Sequence, residues 1–323
     1  MTRCISNRPK LKSRLGIVAR STSLAVSAAA VLMLSACTTT ANTNSATDSA
    51  ATANSAASGS SQSTSPNNLT VQGSDTMEGL VQKWAVNYMA ANTATQVLVK
   101  DGDTGSGISD LISGKIDVAA ASREVTDAER ELAKQKGVRF KREMVAKDAI
   151  AIIVNPTNKV DSIVVSDLAK IYGGQIVNWK QIDSKQPEEP IRAFGRETSS
   201  GTADYFQQHV LQGKQFDPGV KVMPSSEALM GAVMGNRLAI GFVGMAQATA
   251  ETSKVKVLKL KLTATSPAIE KNALLAGHDY PLSRPLYVYY NSANDGKVTK
   301  FVQYCLSADG QKTVSEMGFL PAR

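Results

Sequence analysis

The chain has 323 residues, of which 42% are hydrophobic and 20% charged. This allows one to three folded domains and excludes collagenous, disulfide-built and wholly disordered classes. Aromatic residues make up only 5% and there are two His, so neither a His-rich metal centre nor an aromatic nucleic-acid platform is expected, and no cofactor is implied. The net charge of +8 is local: Arg3, Arg8, Lys10, Lys12, Arg14 and Arg20 sit among residues 1–36 with no acid, and the remainder carries 30 basic against 28 acidic groups. That balance gives no electrostatic case for nucleic acid.

The basic segment runs into an uncharged apolar stretch, Leu24 to Leu34, the length of a signal-peptide core and too short to span a bilayer. Leu34-Ser-Ala-Cys37 follows and resembles the bacterial lipobox, in which the Cys becomes the acylated first residue. Residues 1–36 are therefore expected to be a signal peptide, and Cys37 a lipidation site carrying chains such as palmitate. An ordinary cleavage site ahead of a Cys is the alternative. Each buried CH₂ contributes roughly 0.8 kcal/mol, so several acyl chains would hold the protein at a membrane without a spanning helix. From Thr38 to Asn68 the chain is dominated by Ala, Ser, Thr and Asn, with Asp48 its single charge. Such a segment buries too little to fold and reads as a tether of roughly 30 Å. Cys4 would leave with the signal, so Cys305 remains alone; it lies where apolar positions recur at helical spacing and reads as core.

Beyond residue 68 short apolar runs alternate with amphipathic ones, the pattern of βα units and a largely parallel sheet. The strands predicted are Leu69 to Gln72, Gln96 to Lys100, Val118 to Ala121, Ile150 to Val154, Ile191 to Phe194, Ala239 to Val243 and Leu286 to Tyr290. Helices include Met77 to Ala90 and Thr202 to Val210, and Thr126-Asp-Ala-Glu129 reads as a capping box.

Three strand-to-helix turns are rich in Gly, Ser and Thr: Gly73-Ser-Asp-Thr76, Gly102-Asp-Thr-Gly-Ser-Gly107 and Gly195-Arg-Glu-Thr-Ser-Ser-Gly-Thr202. Gly allows close backbone approach, the hydroxyls donate, and the helix that follows offers unpaired N–H groups and a positive dipole end. Each could be no more than a good cap, but three of them at carboxyl ends of strands can converge on one anion. Arg196 supplies a guanidinium fork suited to an oxyanion. A fourth turn, Ala120-Ala-Ser-Arg123, adds Ser122 and Arg123, the latter equally explained by an ion pair with Glu124 or Glu129.

These turns, in this order, resemble those of the phosphate-binding protein of bacterial ABC phosphate importers, and Val165-Ser-Asp-Leu-Ala-Lys-Ile-Tyr172 with the turn ending at Trp179 resembles that family's second-lobe opening. The resemblance covers residues 69–323. It implies an α/β, two-lobed type 2 periplasmic-binding-protein fold, each lobe a mainly parallel sheet flanked by helices, with the ligand in the cleft. Lobe one would combine residues 69–154 with about 245–323 and lobe two about 155–244, Ile150 to Val154 crossing outward and the return lying near Ala239 to Gly244. Carried over by motif, the ligand contacts are Thr76, Met77 N–H, Ser106, Ser122, Arg123, Arg196, Ser200, Gly201 N–H and Thr202. Several relatives place an acid where this chain has Ser122 or Arg123, so Asp75, Asp103 and Glu197 are the alternatives for accepting the ligand's proton.

The implied function is capture of inorganic phosphate and delivery to ABC permease subunits by an extracytoplasmic, lipid-anchored monomer without catalytic residues. A receptor for sulfate, molybdate or tungstate, or a phosphate sensor, stays open as an alternative. A hydrolase built on Ser200 is disfavoured, because the turn lacks Gly-x-Ser-x-Gly and only His209 and His278 could act as base.

Overall fold

The computed structural model describes residues 68–322 apart from Asp295. The expected signal peptide, Cys37 and nearly all of the tether lie outside the described residues.

The chain begins with β1 (Asn68–Gly73), which buries every second residue, including Leu69 and Val71. Helix α1 (Glu78–Ala91) then buries Leu80, Val81, Trp84, Ala85 and Tyr88 along one face. The Trp84 indole N–H donates to the Gly310 carbonyl at 2.9 Å, so the polar atom of that buried ring is satisfied. β2 (Gln96–Lys100), α2 (Thr104–Ile112), β3 (Val118–Ala121) and α3 (Asp127–Gln135) follow. The capping box ahead of α3 forms as the sequence predicts: Glu129 N–H donates to Thr126 Oγ1 at 3.2 Å, and Thr126 N–H to Glu129 Oε2 at 2.7 Å.

β4 (Phe140–Val154) has 15 residues, a span of roughly 50 Å at the rise of a strand. It is the outgoing crossover. Phe140 to Ala149 pair antiparallel with β11, and Ile150 to Val154 pair antiparallel with β8. Residues Ala149 to Val154 are all fully buried, and each of the larger aliphatic side chains there contributes about 1.5–3 kcal/mol by leaving water. The second lobe continues through β5 (Ser162–Val164), α4 (Val165–Tyr172), β6 (Arg192–Arg196), α5 (Gly201–His209), β7 (Lys221–Met223), α6 (Ser226–Met234), β8 (Ala239–Gly244), α7 (Met245–Ala250), β9 (Lys256–Val257) and β10 (Lys259–Lys261). β11 (Ser283–Asn291) returns the chain to α8 (Lys297–Leu306), α9 (Ala308–Glu316) and β12 (Leu320–Pro321).

The main sheet runs β2-β1-β3-β11-β4-β8-β6-β7. Within this sheet parallel pairing is confined to two triplets, β2-β1-β3 and β8-β6-β7, one in each lobe; the crossing strands between them pair antiparallel, and β10 and β5 form a separate parallel pair.

The expected lobe boundary needs correction. Val255, Leu258, Leu260, Ala273, Tyr280 and Leu282 pack into the core of lobe two with Ile150 to Val154, Phe206 and Phe242. Ala246 of α7 touches the core of lobe one, and the chain returns to it for good from β11 onward, where Leu286, Val288, Phe301 and Val314 join Leu69, Leu80 and Trp84. The return crossing is therefore β11, and β8, the expected return strand, belongs to lobe two. The physical reason is that β8 pairs with β6 and β4, and the apolar residues that follow α7, Val255, Leu258 and Leu260 among them, find their cover in the core of lobe two. Cys305 is fully buried on α8, as its spacing predicts, and burial pushes its thiol up.

Candidate functional site

The turns after β1, β3 and β6 and the start of α2 meet between the lobes, beside the start of β11. Gly73 makes the first turn feasible: its φ of +145° is one that side-chain-bearing residues rarely adopt, and a Cβ there would lie 2.1 Å from the Ala120 carbonyl oxygen. The turn thereby lies flat against β3 and delivers Thr76 to the cleft. Thr76 Oγ1 is 2.9 Å from Thr202 Oγ1, so hydroxyls of opposite lobes touch.

Ser200 caps α5, its Oγ accepting the Ala203 N–H at 3.3 Å, while the Asp204 N–H goes to the Ser200 carbonyl. The N–H groups of Gly201 and Thr202 precede these in the first turn, where the helix itself supplies no acceptor. A Cβ on Gly201 would lie 2.4 Å from Thr104 Oγ1 and 2.6 Å from Ser122 Oγ, so the α5 N-terminus sits directly on two lobe-one hydroxyls. Ser122 is fully buried and its N–H donates to Thr104 Oγ1 at 3.1 Å.

The centre of this cage is Arg284, on the return strand β11 and not among the contacts expected from sequence. Its Nη1 donates to Thr202 Oγ1 at 3.0 Å and reaches the Ser122 carbonyl at 3.5 Å; its Nη2 donates to Thr76 Oγ1 at 3.2 Å and to Asp148 Oδ2 at 3.1 Å. Arg284 Nε is buried and has no hydrogen-bond partner among the described residues. Asp148 lies opposite Arg284 in the β4/β11 register. Burial raises the Asp148 carboxyl above its ordinary value, against the opposing pull of Arg284. One guanidinium thus ties a hydroxyl from each lobe to a carboxylate of the hinge strand.

The residues expected from sequence fall into two groups. Thr76, Ser122, Ser200, Gly201 and Thr202 converge on the cage around Arg284. Met77, Ser106, Arg123 and Arg196 make their hydrogen bonds to other protein groups. Met77 N–H closes the turn onto the Ser74 carbonyl at 2.9 Å. Ser106 Oγ accepts the Asp103 N–H and donates to the Asp103 carbonyl, both at 2.9 Å, which makes it a helix cap. Thr104, two residues earlier, is the hydroxyl of that turn that enters the cage. The signal for it was present in the same motif, but a cap and a ligand contact draw on the same residue types.

Arg123 binds Glu129 through two bonds of 2.8 Å, and its Nε stands 3.0 Å from Asp204 Oδ2 at an angle too bent for a hydrogen bond. Burial pushes the Glu129 carboxyl up, but hydrogen bonds from Arg123 and Thr126 more than reverse this and leave it below its ordinary value. Arg196 is buried and spends its donors on protein acceptors: Nε on the Met223 carbonyl, Nη1 on Asp75 and Ser226 Oγ, Nη2 on Asp103 Oδ1 and the Pro224 carbonyl. Asp75 and Asp103, considered as proton acceptors for a ligand, face this guanidinium instead. Burial raises the Asp103 carboxyl, with Arg196 opposing and Asp75 adding to the shift. A neighbouring cavity of about 690 Å³ between α6 and α7 is lined by Glu227, Met230, Met234 and Glu251 among others, and no residue of the cage lines it.

A family described as a PBP superfamily domain matches residues 40–309. Protein SphX of Synechococcus elongatus is 32% identical over 262 residues, covering 78% of this chain and 77% of that protein. The phosphate-binding protein PstS of Staphylococcus aureus is 30% identical over 257 residues, 77% of each. Among solved structures, a substrate-binding protein from Clostridium perfringens with bound phosphate aligns with a TM-score of 0.68 at 25% identity, covering 80% of this chain and all of that one. An ABC-type phosphate transport receptor from Vibrio cholerae aligns with a TM-score of 0.62 at 28% identity, covering 79% and 99%. The chain belongs to the PBP superfamily, in the family of phosphate-binding proteins that includes SphX and PstS.

Proposed function

We propose that the protein captures inorganic phosphate in the cage around Arg284 and delivers it to an ABC importer. The observation that carries this reading is the hydrogen-bonding of the Arg284 guanidinium to Thr76 of lobe one and Thr202 of lobe two at once, with the first turn of α5 alongside. A tetrahedral oxyanion replaces hydroxyl-to-hydroxyl contacts there with hydroxyl-to-anion ones, which are charge-assisted and stronger. Thr76, Thr104, Ser122, Ser200 and Thr202 supply hydroxyls, Gly201 and Thr202 supply N–H groups, and Arg284 supplies charge. Binding draws the two lobes together because each contributes donors, so the ligand favours the closed form by its differential affinity.

The relatives support delivery rather than chemistry. Ser200 spends its oxygen on capping α5, and His209 is exposed and stacked on Tyr205 with ring centroids 3.7 Å apart, a poor arrangement for general-base catalysis. With an acylated Cys37 and the Ser/Thr-rich stretch behind it, the folded body works tethered outside the cytoplasmic membrane, as a monomer, within reach of permease subunits.

Isothermal titration with phosphate, arsenate and sulfate tests the reading. Phosphate and arsenate should bind and sulfate should bind much more weakly. Arg284→Gln should weaken phosphate by roughly 10- to 100-fold or more, the worth of one or two hydrogen bonds to a charged group. An unchanged titration of that variant would place the anion elsewhere.

A further inference from the structure

We propose that the outer pole of lobe one, which is basic and carries the start of the folded body, rests on the anionic phospholipid headgroups of the membrane that holds Cys37. The inference rests on the reading that Cys37 is acylated. The strands of lobe one place this pole. Asn68 opens β1 beside Gln96 of β2, and Val71 pairs with Val118 of β3, so the amino ends of three parallel strands lie together. Val118 also pairs with Tyr290, and Phe140 with Asn291, which brings the start of β4 and the end of β11 to the same end. The cage lies at the opposite, carboxyl ends, roughly 20 Å away across the six residues of β1.

The connections that meet at this pole are cationic. Residues 132–142 carry Lys134, Lys136, Arg139, Lys141 and Arg142 and no acid. Arg139 is fixed at the pole through its main chain, its carbonyl accepting the Ser292 N–H at 2.8 Å. Lys297 and Lys300 lie in the first turn of α8, directly after that loop. Lys297 pairs with Asp117 at 3.2 Å and donates to the Asn68 carbonyl, so a lysine of the pole holds the first residue of β1. Lys115 pairs with Asp110 at 2.9 Å. Lys136, Arg139 and Lys300 are exposed and pair with no carboxylate among the described residues. Their charge is left for a partner outside the chain.

The tether selects lipid as that partner. Thirty or so residues separate Cys37 from Asn68, and a coil of that length keeps the start of β1 within roughly 30 Å of the bilayer. At so high a local concentration of headgroups, a contact too weak to recruit a free protein is enough to orient a tethered one. The arrangement also suits the cargo. A negative surface repels an incoming anion over a Debye length of about 10 Å, and with this pole on the lipid the cage stands beyond that range.

Sedimentation with sucrose-loaded vesicles tests the proposal on the chain from residue 37 onward, the form that signal removal leaves, carrying Cys37→Ser so that no acyl chain contributes. This chain should bind vesicles of equal parts phosphatidylglycerol and phosphatidylcholine at low salt, bind phosphatidylcholine alone far less, and let go as salt rises. Lys136→Gln/Arg139→Gln/Lys300→Gln should lower the partition about 100-fold, at a factor of about 5 for each basic group near an anionic surface. Lys185→Gln/Lys214→Gln/Lys221→Gln, the same change of charge on exposed residues of lobe two, should lower it much less. Both triple variants should melt and titrate phosphate as the starting chain does. Equal losses in the two variants, or equal binding to both kinds of vesicle, would overturn the proposal. So would a starting chain that binds neither, which would give the pole to an acidic protein surface instead. Because Cys37→Ser removes the acyl chain, these results are independent of whether Cys37 is acylated in cells, which mass spectrometry of the membrane fraction decides.

Discussion

Asp148 Oδ2 and Arg284 Nη2 stand 3.1 Å apart on adjacent crossing strands, with side chains 1% and 0% exposed. A fully buried ion pair is costly to assemble, and removing one partner leaves a charge stranded in low dielectric. In the fold of this chain the stranded charge would face the anion cage, so the pair links stability to ligand.

Asp148→Asn removes the counter-charge of Arg284 from the ligand-free protein. Phosphate then becomes the counter-charge that Asp148 no longer provides. The rise in Tm on saturating with phosphate should be larger in the variant than in the wild type. An equal or smaller rise in thermal melts would show that the anion does not meet Arg284.

The raised Asp148 carboxyl also fixes a pH dependence. The native state holds this proton more tightly than the unfolded chain does, where the value is about 3.9. Its contribution to stability is therefore complete below about pH 3.9 and declines as pH rises through the native-state value. Glu129 runs the other way: with its native value lowered, its contribution is present above about pH 4.3 and is lost as pH falls. Melting curves across pH should show Glu129→Gln reducing the acid-side loss, whereas Asp148→Asn flattens the decline above pH 4.

Gly201→Ala probes closure sterically. The added methyl would sit 2.4 Å from Thr104 Oγ1 and 2.6 Å from Ser122 Oγ, both in the opposite lobe. Separated lobes have room for it, so the fold should survive with Tm little changed while phosphate affinity falls at least about 10-fold, a cost of 1–3 kcal/mol for overpacking a closed interface. Titration calorimetry alongside a melt checks both halves; wild-type affinity would mean that the lobes do not meet here during binding.

Thr104→Val and Ser106→Ala separate two hydroxyls of one turn. Thr104→Val should weaken phosphate, because Thr104 Oγ1 lies against Ser122 and the start of α5. Ser106→Ala should leave affinity near wild type and cost about 1 kcal/mol of stability, through loss of its cap on Asp103. Titrations showing the reverse order would restore Ser106 to the site.

Composition and local pattern alone determined a good deal about this protein. The seven predicted strands all form, because short apolar runs bounded by Gly, Ser and Asp have few other ways to bury themselves. The Gly/Ser/Thr turns were legible as helix entries, and Thr76, Ser122, Ser200, Gly201 and Thr202 were legible as a converging set, because turn chemistry is local. Arg284 and Asp148 were not: Arg284 precedes Pro285 in a strand otherwise rich in apolar and aromatic residues, Asp148 closes a charged stretch, and 136 residues separate them. Only the antiparallel register of β4 and β11 sets one opposite the other. The carboxylates that Arg123 and Arg196 meet were likewise decided by tertiary structure. A sequence states that a guanidinium is present, but whether it meets a ligand or a carboxylate depends on which acids the fold carries across the cleft, and charge at that distance has no trace in local pattern.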